Sequence, residues 1–403
     1  MNLVSPETVG MSSSRLQRLD AAMQRYIERR QAAGLTTVLL RRGQIAHRGC
    51  YGWLNLAAQT PMREDAIFRI FSMTKPIVSL ALLMLYEEGH FHLGYPISLF
   101  IPALGDMKVF VRQGEAGLEV APLERPITIY DLLTHTSGLG YGLDPITPVE
   151  ALYMGEKLMR TDESMAEKIP RIAQIPLNHQ PGLRYTYSMG IDVLGHLIEL
   201  ISGLALDEFL HRRIFEPLGM VDTGFYVPAG KRARLASLYT SDPQSGLVDM
   251  AALDPAQITH FLKEGWVHKE DAPRFLSGGG GLVSTSADYL RFARLLRSHG
   301  ELDGVRLVSR KTVELMTSVH LRDDKFWAPG YGFGLGVTVM TDPARAQMLG
   351  SAGAYGGGGA ASTEFWVDPR EDLIGVLMVQ YASETPLPLG MDFKLLALQA
   401  IAD

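Results

Sequence analysis

The sequence predicts an α/β protein of the α+β type, with an antiparallel sheet assembled from both ends of the chain, flanked by helices and interrupted by a mostly helical insertion. Three observations predict it. A helical pattern and two strand-like runs open the chain, a long middle alternates helices with loops, and strand-like runs return before a last helical pattern. This order divides the chain into an α/β domain of residues 1–97 and 285–403 and a mostly helical domain of residues 98–284, with a functional cleft expected between them.

Residues 12–33 read as an amphipathic helix: Leu16, Leu19, Met23, Tyr26 and Ile27 recur at three- and four-residue steps, and Gly34 stands where a C-cap belongs. A hairpin follows, 35–40 and 45–51 around Arg41-Arg42-Gly43-Gln44. Apolar residues from Ile77 to Leu85 predict a helix ending near Gly89. In the middle, 107–111 and 118–121 read as a small hairpin, 127–133 as a short helix, and 191–202 and 205–215 as longer helices. A glycine-rich loop, 277–281, precedes a helix at 286–298, then strands at 334–340, 362–367 and 373–379 and a helix at 391–402.

The 403 residues carry 46% hydrophobic and 20% charged side chains with net charge −6, an ordinary globular balance that disfavours nucleic acid as a partner. No apolar run reaches the roughly 18 to 20 residues that span a bilayer, and no leader pattern opens the chain, so a cytoplasmic location is expected. The single cysteine, Cys50, excludes an internal disulfide framework and reads as a small core residue at a strand end. Eleven histidines without metal-ligand spacing predict no metal, and no cofactor motif is present. Oligomeric state has no signature.

The chemistry concentrates in Phe71-Ser72-Met73-Thr74-Lys75-Pro76. Pro76 lacks an N–H and fits only the first turn of a helix, which places Ser72 at the helix mouth. Lys75, three residues on, shares that face, so its amine can lie beside the hydroxyl and activate a serine without histidine. A lysine is the wrong charge for a helix N-terminus unless it has another task. The plainer reading, an N-capping serine and a solvated lysine, fits the hexapeptide alone equally well. His135, in Thr134-His135-Thr136-Ser137-Gly138-Leu139, reads as a turn histidine bonded to local backbone rather than as a base.

Together with that hexapeptide, Leu132-Leu133-Thr134-His135-Thr136-Ser137-Gly138-Leu139, Tyr187-Ser188-Met189, the loop from Ser277 to Thr285 and Phe365-Trp366-Val367-Asp368-Pro369 give the chain a resemblance, over nearly its whole length, to family VIII carboxylesterases. These are related to class C β-lactamases and penicillin-binding proteins. The resemblance implies an acylated nucleophile at Ser72, proton transfer shared by Lys75 and Tyr187, and a small neutral ester as substrate. A phenol alone is a poor base, but beside an amine it can relay protons as a phenolate. Counting back from Phe365 puts the family's third motif on Gly357-Gly358-Gly359, and an oxyanion hole on the backbone N–H groups of Ser72 and Ala360.

The chain departs from the pattern at two places. Gly357 stands where the lactam-binding relatives carry a cation and many of the esterases a tryptophan, which disfavours anionic lactams and D-Ala-D-Ala peptides. Met189 replaces an asparagine and makes its neighbourhood more apolar. Gly357 predicts a wide site, unless a neighbouring aromatic such as Tyr355 fills the space.

Overall fold

The computed structural model describes residues 2–403 apart from 116, 144–145, 243–245, 255–265, 268, 323–324, 327 and 384. An eight-stranded sheet forms its spine, with β1 (Gly34–Arg41), β2 (Gln44–Asn55), β3 (Thr60–Pro61), β4 (Tyr331–Phe333), β5 (Thr338–Met340), β6 (Tyr355–Gly358), β7 (Glu364–Asp368) and β8 (Leu373–Val379). Their spatial order is β4-β5-β6-β7-β8-β1-β2-β3. All neighbours run antiparallel. The two ends of the chain meet where β1 pairs with β8, in register from Leu35 opposite Val379 to Arg41 opposite Leu373. Both strands are buried along their whole length, which explains why neither shows a regular alternation of apolar and polar residues.

Helices cover both faces. The helices that position the site are α1 (Ser13–Glu28), α2 (Thr74–Glu87), α3 (Gly190–Ser202), α4 (Ser286–Arg297) and α5 (Leu389–Leu398). On the rear face, α1 and α5 pack with Trp366 and Leu377. On the front face, α2, α3 and α4 share a larger core, where Tyr289 meets Phe365 with ring centres 4.9 Å apart. Residues 98–284 hold α3, the hairpin of Lys108–Gly114 and Gly117–Pro122, and several shorter helices. No described helix is long and apolar enough to cross a membrane.

Four local expectations are corrected. The first helix stops at Glu28, because Arg30 takes the left-handed cap position at φ 54° and Gln31 N–H returns to the Tyr26 carbonyl at 2.9 Å; Gly34 therefore opens β1. The strand expected at 334–340 is instead a turn and a short strand: Gly334 N–H closes on the Val337 carbonyl at 2.8 Å, which joins β4, ending at Phe333, to β5, which begins at Thr338. The last helix begins at Leu389 and ends at Leu398. Cys50 lies inside β2 and is exposed. A second hairpin, Tyr239–Asp242 with Gly246–Asp249, had no sequence expectation.

Candidate active site

Ser72 sits in a 3-10 turn, Phe71–Met73, that runs directly into α2, with Pro76 in the helix's first turn where a missing N–H costs nothing. The preceding Phe71 holds φ at 42°, rare for a residue with a side chain. Its buried ring stacks on Trp266 at 6.1 Å, packing that holds the turn in this unfavourable conformation.

The structure brings Ser72, Lys75 and Tyr187 together. Ser72 Oγ lies 2.6 Å from the Tyr187 hydroxyl and accepts a hydrogen bond from Lys75 Nζ at 3.2 Å. Lys75 also donates to the Gly279 carbonyl oxygen at 2.5 Å and stands 4.5 Å from the centre of the Tyr187 ring and 5.2 Å from that of Tyr141. The lysine is only 4% exposed, so two oxygens and two π faces stand in for water around its head group.

Gly279 is held in turn by Asp192, fully buried in the first turn of α3. Asp192 Oδ1 accepts the Gly279 N–H at 3.0 Å and the Ser277 hydroxyl. Contacts thus run from α3 through the glycine loop to Lys75 and Ser72. Burial, and then the Asp192 carboxylate, push the Tyr141 phenol well above its ordinary range, so the ring beside Lys75 stays neutral. Gly279, Asp192 and Tyr141 escaped the sequence reading, because Gly279 acts through its carbonyl and the only trace of Asp192 is a carboxylate inside an apolar helix.

His135 holds φ at 56°, and its Nδ1 accepts the Ser188 N–H at 3.3 Å and lies 3.0 Å from Ser188 Oγ. Its ring backs Tyr187 at 5.0 Å. Burial, helped by Lys75, lowers its pKa well below the usual imidazole value, so the ring is neutral and Nε2 is buried without a partner among the described residues.

In β6, Gly357 faces forward opposite Phe365 and Gly358 faces rearward opposite Glu364. At Gly359 the strand turns away, and a Cβ there would collide with the Ile70 carbonyl oxygen; only glycine lets this strand end pass the backbone two residues before Ser72. The Ala360 N–H, exposed at that end, donates to no described residue. A Cβ on Gly357 would meet only the Phe365 ring, at 3.6 Å, so the buried Tyr355 does not fill the space as the alternative expected. Met189 lies wholly in the front core, with no surface open to a ligand. Among the described residues no group of three or more His, Cys, Asp or Glu side chains gathers as a metal site.

A family model described as Beta-lactamase matches residues 19–399. The chain is 37% identical over 366 residues to Uncharacterized protein MT1414 of Mycobacterium tuberculosis, a match covering 87% of this chain and 86% of that one. It is 29% identical over 378 residues to Esterase EstB of Burkholderia gladioli, covering 93% and 92%. Among solved structures it resembles EstCE1, a hydrolase with promiscuous acyltransferase activity, with a TM-score of 0.76 and 24% identity over 94% of this chain and 97% of that one.

Proposed function

The chain belongs to the beta-lactamase family, and from that premise we propose that it is a serine carboxylesterase that hydrolyses neutral short- to medium-chain carboxylic esters through an acyl-enzyme on Ser72. The observation that carries the reading is the meeting of Ser72 Oγ with both the Tyr187 hydroxyl and Lys75 Nζ. A binding scaffold has no need for that arrangement.

In the proposed reaction Ser72 Oγ attacks the ester carbonyl while its proton passes to the Lys75–Tyr187 pair. The tetrahedral oxyanion is received by the N–H groups of Ser72 and Ala360, donors of a kind that contribute about 3 kcal/mol each. Collapse breaks the bond to the alkoxide, which leaves with the stored proton. Water then gives a proton to the same pair, attacks the acyl carbon, and frees the acid as Ser72 regains its proton.

Gly357 offers no cation to a substrate carboxylate, and residues 355–360 contain none, which supports neutral esters over anionic lactams. The EstB match supports the same preference. An acyltransferase would use the same intermediate with an alcohol in place of water, a reading favoured by the promiscuous acyltransferase activity of EstCE1. The test is hydrolysis of a p-nitrophenyl acyl ester series beside a chromogenic cephalosporin, with wild type and Ser72→Ala. Ester turnover that falls by at least about 10⁴-fold in the variant, with little lactam opening, is expected. Comparable lactam turnover would favour a β-lactamase or D,D-peptidase, silence on both a non-catalytic scaffold, and loss of acid product on adding an alcohol the acyltransferase.

A further inference from the structure

On the rear face of β6 lies a cavity of about 280 Å³, walled by Trp366, Tyr331 and the methionines Met340, Met348 and Met391. Gly356, Gly357 and Gly358 line it with backbone and add no side chain. Two charged side chains border it, Glu364 on β7, opposite Gly358, and Lys394 on α5. Lys394 is 9% exposed; its Nζ stands 5.9 Å from the centres of both the Tyr331 and Trp366 rings and makes no hydrogen bond or ion pair with any described residue. Glu364 makes none either, and its carboxylate occupies the space that a Cβ on Gly390, in the first turn of α5, would take.

A buried charge without a partner is costly, so Lys394, left this way beside the half-buried Glu364, marks a place where something else supplies the bonds. Burial pushes the Glu364 carboxyl up and the Lys394 ammonium down, and each is partly restored by the other's charge. They feel one another across the cavity without touching. A group held between them must offer an acceptor to Lys394 and a donor to Glu364, and an uncharged group does both without adding charge to a lysine already facing the Glu364 and Asp368 carboxylates. The aromatic and methionine walls suit an apolar body.

We propose that this cavity is a specificity subsite that takes an amide group at the remote end of an apolar ester substrate, its carbonyl oxygen accepting from Lys394 and its N–H donating to Glu364. The substrate role rests on the esterase reading. The route is short: Gly358 is exposed at the free end of β6, and the two residues to Ala360 span at most roughly 7 Å.

Full-length protein carrying methyl-labelled methionine, titrated with phenylacetamide and followed by NMR, tests the subsite. Methyl resonances of Met340, Met348 and Met391 are expected to shift, with phenylacetate and phenethylamine binding at least about tenfold more weakly, and Lys394→Met or the isosteric Glu364→Gln weakening the amide about tenfold. No shift at millimolar amide, or equal shifts with the two ions, would overturn the proposal. For the substrate role, kcat/KM is compared for an ester bearing a remote amide and its hydrocarbon isostere. Their ratio should favour the amide in wild type and drop in Lys394→Met; an unchanged ratio would refute the role. Binding is read without turnover, so an inactive enzyme leaves it testable, and a failed subsite leaves hydrolysis of plain esters untouched.

Discussion

Two lysines are buried against aromatic rings on opposite faces of one sheet, and the chain treats them in opposite ways. In front, Lys75 is bonded to Ser72 Oγ and the Gly279 carbonyl, and the loop that holds it is anchored by Asp192. At the rear, Lys394 has two rings and a cavity but no oxygen within bonding distance among the described residues. Burial alone therefore does not mark a catalytic amine. A group that moves protons needs fixed partners so that its geometry survives each transfer, whereas a group that receives a ligand must be left with bonds to make.

The largest effect that could break this contrast is at Tyr187. Tyr187→Phe deletes the 2.6 Å contact with Ser72 while keeping the ring against Lys75, and kcat on p-nitrophenyl esters is expected to fall by about 10²- to 10⁴-fold with little change in unfolding midpoint. A loss below tenfold would mean that Lys75 handles the proton alone.

Next comes the strand that separates the faces. Gly359→Ala drives a methyl into the Ile70 carbonyl and should destabilise the fold by about 1–3 kcal/mol in urea, whereas Gly357→Ala, with 3.6 Å to its nearest neighbour, should be close to neutral. Equal costs would show that the strand end is free to move, and the proposed Ala360 donor with it.

Smaller, and of opposite sign on the two faces, is the dependence of stability on pH. Burial holds His135 well below the ordinary imidazole value of about 6.5, so the unfolded chain binds more protons as pH falls beneath that value, and stability is lost there by up to about 1.4 kcal/mol per pH unit. Glu364 is raised above 4.5, so its contribution is present below that pH and lost as pH rises through the folded value. Asparagine tolerates the left-handed backbone at position 135, so His135→Asn should flatten the slope below pH 6.5, and Glu364→Gln the slope above 4.5, in denaturation series across pH. A slope below 6.5 that survives His135→Asn would place the titration elsewhere.

The front of the molecule was legible because its residues are constrained by type and spacing: a serine three before a lysine at a helix mouth, with a proline in the first turn. β8 was legible because a strand covered on both faces reads as one apolar run, and β1 because its residues run into the turn at Arg42-Gly43. The rear cavity was not. Glu364 and Lys394 are thirty residues apart on a strand and a helix, and only the packing of α5 against the sheet brings them to one space. Backbone groups leave little mark of their own: the Gly279 carbonyl beside Lys75 was missed, and the proposed Ala360 donor was reached only through the resemblance. Local chain reversals failed for a related reason. Arg30 adopts a conformation that the sequence pattern assigned to Gly34, because the returning Gln31 bond decides where the helix stops.

The smallest expected effect is the one that separates the faces most sharply. Gly357 and Gly358 are neighbours on β6, yet their side-chain directions lie on opposite faces, as successive positions of a strand must. A tryptophan at 357 would enter the front space, where only the Phe365 ring lies within 4 Å of the Cβ position, and the fold should accept it. Gly357→Trp is then expected to lower kcat/KM for bulky esters relative to acetate esters by about tenfold, the scale on which a filled apolar site discriminates by size. The methyl shifts of Met340, Met348 and Met391 with phenylacetamide should persist, because the new ring is on the far side of the strand from them. An unchanged ester range would mean that Gly357 does not border the acyl or alcohol group. Loss of the methyl shifts with the ester range would mean that front and rear are one continuous pocket, and that the contrast between the two lysines is one of partners and not of place.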